Sequence, residues 1–182
     1  TIEEWIEVNS RNREFLQRFV EEFFNKLESV LQKLKKLGAN TKNIEDKLEK
    51  LKKEIKGKIS LEEIEKSSLP SLEEIKEEIG KIRTGMSDNA KKEKIKEFED
   101  RIPKILENAK KETAKKDLSE KLEGCFQVIY AYYYDKSPCF VDKMPAADFT
   151  IFQSISPAQA KQEIENLLRG IDSTFQTCIQ AC

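Results

Sequence analysis

The chain has 182 residues, of which 33 are basic, 34 acidic and none histidine, for a formal net charge of −1. That length can bury a core as one elongated domain or two small ones, and the balanced charge provides no global field to draw in nucleic acid or anionic lipid. Without histidine the usual zinc ligand, the usual general base and every Ser-His or Cys-His nucleophile arrangement are excluded; six glycines and five prolines point to a mostly helical chain with short connections.

From Ile2 to Leu37 the apolar residues fall in three- and four-residue steps through Phe15, Leu16, Phe19, Phe23, Phe24, Leu27, Leu31 and Leu34. This predicts one long amphipathic helix whose four phenylalanines form the spine of an N-terminal core, with Gly38 as its stop. A second helix is predicted over 41–56, where Ile44, Leu48, Leu51 and Ile55 make a narrow seam like one arm of a helical hairpin. Two near-copies follow, Ser60-Leu61-Glu62-Glu63-Ile64 and Ser71-Leu72-Glu73-Glu74-Ile75, with Pro70 between them. Each is a capping box, so two helix starts are expected, the first helix short and the second running to about Thr84. Ser87 or Asp88 caps the next helix, which carries Ile95, Phe98, Ile102 and Ile105, and Pro103 should kink or split it.

Only 4 of the 33 basic and 6 of the 34 acidic side chains lie beyond Glu123, and this shift in composition sets a soft boundary near Asp117. The expected organisation is all-α: a charged helical region over 1–116 and a second helical region over 117–182. In the second region, helix signals resume at Leu118 and end at Ser137-Pro138, and Cys139 to Ser156 reads as an ordered loop. A last helix has Ser156 as its cap and Pro157 at its first position, with Ile164, Leu167, Leu168, Ile171, Phe175, Cys178 and Ile179 facing inward.

All four cysteines, Cys125, Cys139, Cys178 and Cys182, lie in the last third. Clustered, even-numbered cysteines suggest structural disulfides and an oxidising compartment, so the C-terminal bundle is expected to be pinned by disulfides. A bridge between Cys178 and Cys182 would run awkwardly along one helix, so both are expected to pair backward. The assignment adopted is Cys125 with Cys178 and Cys139 with Cys182, with the reverse assignment nearly as good. The C-x3-C spacing could serve zinc, but the other two cysteines are not a close pair and no histidine completes a common ligand set. No metal and no cofactor are expected.

The tyrosines at 130, 132, 133 and 134 offer either recognition surface or core, and helical spacing favours core for all but Tyr132. Trp5 reads as an anchor of the N-terminal turn. In the lysine-dense faces 47–58 and 91–96 the lysines are interleaved with Glu49, Glu54 and Glu93, the pattern of a solvated helix rather than a polyanion site. No carboxylate pair stands out for catalysis, and there is no phosphate-cradling glycine loop or nucleophile elbow, so no enzyme is expected. No apolar run is long enough to span a membrane. The start at Thr1, with neither methionine nor leader, fits a mature secreted product and fits a trimmed chain equally well.

At Gly124-Cys125-Phe126, Cys139 and the Cys178-x3-Cys182 pair, the chain resembles the cysteine-containing helical domains of secreted salivary proteins from blood-feeding mosquitoes. These include the 30-kDa collagen-binding antigens, the 34-kDa family and a neutrophil-stimulating factor. The chain lacks the acidic, glycine-rich N-terminal region of the collagen-binding type and is closer to the other groups. The resemblance implies a secreted, extracellular, non-catalytic protein that contacts a host protein and modulates immune or haemostatic responses. Two other readings follow from the residues: a carrier enclosing a small hydrophobic ligand between the faces of Phe15–Phe24 and Phe126–Tyr134, or a structural scaffold using the Ile44–Ile55 seam as an oligomer interface.

Overall fold

A computed structural model of the chain describes residues 2–136 and 149–181. Among these residues the protein is all-helical, with no strand. The helices are α1 (Ile2–Asn9), α2 (Arg13–Lys36), α3 (Lys42–Ile55), α4 (Leu61–Gly85), α5 (Asn89–Arg101), α6 (Ile105–Lys136) and α7 (Pro157–Ala181), with short 3-10 segments at Ile102–Lys104 and Phe149–Gln153. The chain divides into two compact units at Thr113/Ala114, within α6.

The long first helix expected from the sequence is broken. Asn12 caps α2 with its side-chain oxygen, which accepts from the amides of Glu14 (2.9 Å) and Phe15 (3.5 Å). The Asn12 N–H itself closes the end of α1 on the Asn9 carbonyl. A capping asparagine outside helical geometry satisfies otherwise orphaned amides, and this outweighs simple continuation of the helix. Gly38 ends α2 as expected. At φ +80° it takes the left-handed position, and the amides of Gly38 and Ala39 close on the carbonyls of Lys35 and Leu34 in a Schellman motif.

From α2 to α4 successive helices run antiparallel, as the ion pairs across them record. Lys35 and Glu28 of α2 meet Glu45 and Lys52 of α3; Lys47 of α3 meets Glu74 of α4. Arg83 and Glu65 of α4 meet Glu99 of α5 and Lys110 of α6, so α5 and the start of α6 run back along α4. These pairs rim apolar seams. Phe15, Phe19, Phe23 and Phe24 are buried as the expected spine, and the α3 seam of Ile44, Leu48, Leu51 and Ile55 is buried with them. That seam is filled from within the chain and is not free to form an oligomer interface. The interleaved charges also form pairs along single helices, as expected for solvated faces: Glu22–Lys26, Glu54–Lys50, Glu62–Lys66 and Asp100–Lys96.

Instead of two helices there is one α4, with Pro70 inside it. The first helix start forms: Ser60 Oγ accepts from the Glu63 amide at 3.2 Å, and the Glu63 carboxylate accepts from the amide of Ile59, just before the cap, at 3.1 Å. The second does not form, because Ser71 is buried and its Oγ donates to Glu54 at 3.4 Å. An interior proline costs about 3 kcal/mol of helix stability. Offsetting this, Leu61, Ile64, Leu72, Ile75 and Ile79 keep one buried stripe through the proline, each worth about 1.5–3 kcal/mol of apolar burial. Ser68 lies on the same stripe at 0% exposure, and its hydroxyl has no hydrogen-bond partner. Ser68→Ala should therefore raise the unfolding free energy by roughly 1 kcal/mol, read as a higher urea midpoint, since a buried hydroxyl without a partner is a desolvation cost. A lower midpoint would show that the hydroxyl contributes to the fold.

Asp88 caps α5 through the amides of Ala90 and Lys91, and Pro103 splits α5 from α6 at the 3-10 turn. The helix expected to start again at Leu118 is instead the continuous α6. Its buried positions lose register between Thr113 and Ser119, and in sequence this imitates a boundary. Beyond that point Ser119 Oγ donates to the Phe149 carbonyl at 2.7 Å, and Phe126, Phe149, Phe152 and Ile171 form a small core with Leu122, Ile164 and Leu167 against it. Leu168, expected to face inward, is 41% exposed because it lies off the Ile164–Leu167–Ile171 stripe. The side chains of Phe175, Cys178 and Ile179 and of the tyrosines at 130 and 132–134 lie outside the described residues. Ser156 caps α7 in a reciprocal box with Gln159, at 3.3 and 3.0 Å.

Candidate functional site

Within the unit spanning Glu3–Thr113, α1, the start of α4 and the first turns of α6 surround a cleft of about 350 Å³. The Leu61 amide donates to the Ser10 carbonyl at 3.1 Å, which fixes the end of α1 beside the start of α4. Helical spacing then presents Glu3 and Glu7 from one wall and Glu62 and Glu65 from the other. Ile6 and Leu61 add apolar surface between them, and Glu107 with Lys110 and Lys111 forms the third side.

Lys110 organises that side. Its side chain is only 16% exposed, and its ammonium pairs with Glu65 at 2.5 Å and with Glu107 at 2.7 Å. Burial pulls its pKa down, but the hydrogen bonds and charges of Glu107 and Glu65 outweigh this and hold it above the ordinary lysine value. Five carboxylates around two lysines leave the cleft net negative, and apolar surface beside carboxylates accommodates the stem and head of a lysine or arginine side chain. A second groove of about 270 Å³, between α3 and α4, is less acidic, with three carboxylates (Asp46, Glu74 and Glu78) against two lysines (Lys47 and Lys50). There a hydrogen bond from Lys81 holds the Glu78 carboxyl below its ordinary pKa.

Of the cysteines expected to form bridges, Cys125 is exposed on α6 with a free thiol. Cys139 and Cys182 lie outside the described residues, as does the side chain of Cys178. No disulfide is present among the described residues, so the expected pairing of Cys125 with Cys178 is not part of the structure described. Among the described residues no cluster of Cys, Asp and Glu is arranged to hold a metal ion, and no helix is long and apolar enough to cross a membrane.

The acidic cleft leaves no signal in the sequence. Glu3 with Glu7 and Glu62 with Glu65 each look like one solvated helix face, and no local signal brings the two pairs together. Compared with family models, with curated proteins and with solved structures, the chain matches none.

Proposed function

We propose that the chain is a secreted, non-enzymatic effector that acts by protein–protein contact and modulates a host's immune or haemostatic responses. The observation carrying the contact is the acidic cleft, which suits a lysine- or arginine-bearing segment of a partner protein. The cysteine distribution and the resemblance to salivary proteins support the extracellular setting. In an oxidising compartment an exposed thiol such as that of Cys125 does not persist in a chain that carries three further cysteines, and a disulfide is its expected fate. Pairing of Cys125 with Cys178 and of Cys139 with Cys182 closes loops of ~40 to 55 residues, worth ~3 to 4 kcal/mol each on chain-entropy grounds.

Two measurements on one preparation test this. Intact mass after alkylation of the denatured, unreduced protein should show no thiol modified, and four modified thiols would end the extracellular reading. A binding screen against leukocyte receptors and extracellular-matrix proteins should return a salt-sensitive partner. Combined Glu3→Lys, Glu7→Lys and Glu62→Lys reversal should weaken that partner by roughly tenfold or more. An empty screen with folded protein would end the effector reading, and undiminished binding by the reversed variant would move the contact away from the cleft.

A further inference from the structure

We infer that α4 is a two-state element hinged at Pro70: one continuous helix in the fold described above, and two helices, residues 61–69 and 71–85, in a second state of the native protein. Several independent features meet at this point. Pro70 has no N–H to give the Lys66 carbonyl, and its ring disfavours helical geometry at Leu69, which is 57% exposed and makes little of the core that would hold it in place. Ser68 buries a hydroxyl without a partner one residue earlier. Immediately after the proline stands a complete but unmade helix start, Ser71-Leu72-Glu73-Glu74. At the first copy Ser60 Oγ accepts from the Glu63 amide and Glu63 accepts from the Ile59 amide just before the cap; at the second copy that preceding position is Pro70, so the glutamate's return bond there can go only to the Ser71 amide. Local sequence therefore encodes a second N-terminus at Ser71, and tertiary packing suppresses it.

Opening the hinge exchanges one set of polar contacts for another. Ser71 Oγ gives up its long 3.4 Å contact with Glu54 and accepts from the Glu74 amide; Glu74 leaves Lys47, 3.1 Å away, and its carboxylate reaches back to accept from the freed Ser71 amide. The Ser68 hydroxyl reaches water. Against opening stand the burial of Leu61 and Ile64 and the Glu65–Lys110 pair. The closed state thus leaves the Ser68 hydroxyl unpaired and the open state gives up a few side chains' worth of burial, the opposed costs of a switchable element. The mobile segment carries Leu61, Glu62 and Glu65, one wall of the acidic cleft. The hinge consequently sets the width of the cleft, whether or not a partner uses it.

Native-state hydrogen exchange on the full chain, without any partner, tests the hinge. Amides of residues 62–69 should exchange at least ~10-fold faster than those of residues 72–79. Pro70→Ala should slow the first group by ~10-fold or more while moving the second by less than ~2-fold, because alanine restores the missing donor and removes the ring. Ser71→Ala gives the sharper result. As the cap of the open state Ser71 favours opening, so its removal should also slow exchange in 62–69. If Ser71 served only the closed packing, the same substitution would speed exchange there. Equal exchange on the two sides of Pro70 in the unaltered chain, or unchanged or faster exchange in Ser71→Ala, overturns the hinge.

Discussion

Phe23→Ala should destabilise the N-terminal unit by about 3–5 kcal/mol, the largest effect expected of any single substitution in α2. Phe23 is fully buried at 0% exposure. Its ring stacks on Phe19 with centroids 6.0 Å apart and planes 6° from parallel, and meets Phe24 at 5.4 Å and 58°. Truncation removes the transfer free energy of the ring and leaves a cavity between neighbours that are themselves aromatic and slow to collapse. The loss of paired rings adds about 0.5–1.5 kcal/mol beyond area. A domain of this size has only about 5–15 kcal/mol in total, so the variant should stand close to its unfolding midpoint at physiological temperature. Urea titration is the measurement, with Val8→Ala as reference: Val8 is 81% exposed and should shift stability by less than about 0.5 kcal/mol. A Phe23→Ala shift no larger than that of Val8→Ala would mean that the aromatic spine is not the core.

Lys110→Met should cost about 2 kcal/mol at neutral pH, and the loss should depend on pH in a defined direction. Methionine keeps the length and apolar stem but removes the charge that Glu65 and Glu107 share, leaving two carboxylates facing each other across the pair geometry at 2.5 and 2.7 Å. Because the lysine's pKa in the fold is raised above the ordinary 10.5, its stabilisation is fully present below that value. It is lost as pH rises through the raised one. The difference in unfolding free energy between the unaltered chain and Lys110→Met should therefore be constant at neutral pH and shrink above about pH 10.5. Other titrating groups are common to both proteins and cancel in the difference. Curves that stay parallel through strongly alkaline pH would show that the ion pairs add nothing to the fold.

The two predictions sit at opposite ends of what could be read from the chain. The aromatic spine was legible because the series of Phe15, Phe19 and Phe23 is a property of one helix, and burying such a stripe is the only way a soluble helix accommodates it. The same holds for the α3 seam, the Gly38 stop, the Asp88 cap and the split at Pro103, each set by residues within a turn or so of one another. The cleft around Lys110 was not legible. Its carboxylates come from α1, α4 and α6, and on each helix they are indistinguishable from solvated surface.

Local signals misled in three places, each for its own physical reason. Asn12 broke a helix that periodicity would have continued, because two satisfied amides outweigh one more turn. Pro70 and the box at Ser71 should have ended a helix and began none, because Leu61 through Ile79 form one stripe buried by its neighbours. The helix signals resuming at Leu118 suggested a fresh start, whereas α6 is continuous through that point; the composition shift near Asp117 itself lies a few residues from where the chain divides into two compact units, between Thr113 and Ala114.

By itself, then, the sequence determined the all-α class, most caps and stops, and which faces are apolar, since these follow from contacts between residues a few positions apart. Tertiary structure decided which of two competing local signals prevails and which distant carboxylates converge on Lys110. Burial of a shared stripe is worth several kcal/mol over a helix, whereas a cap or a proline is worth one to three, so the outcome at Ser71 rests on neighbours that no local reading contains.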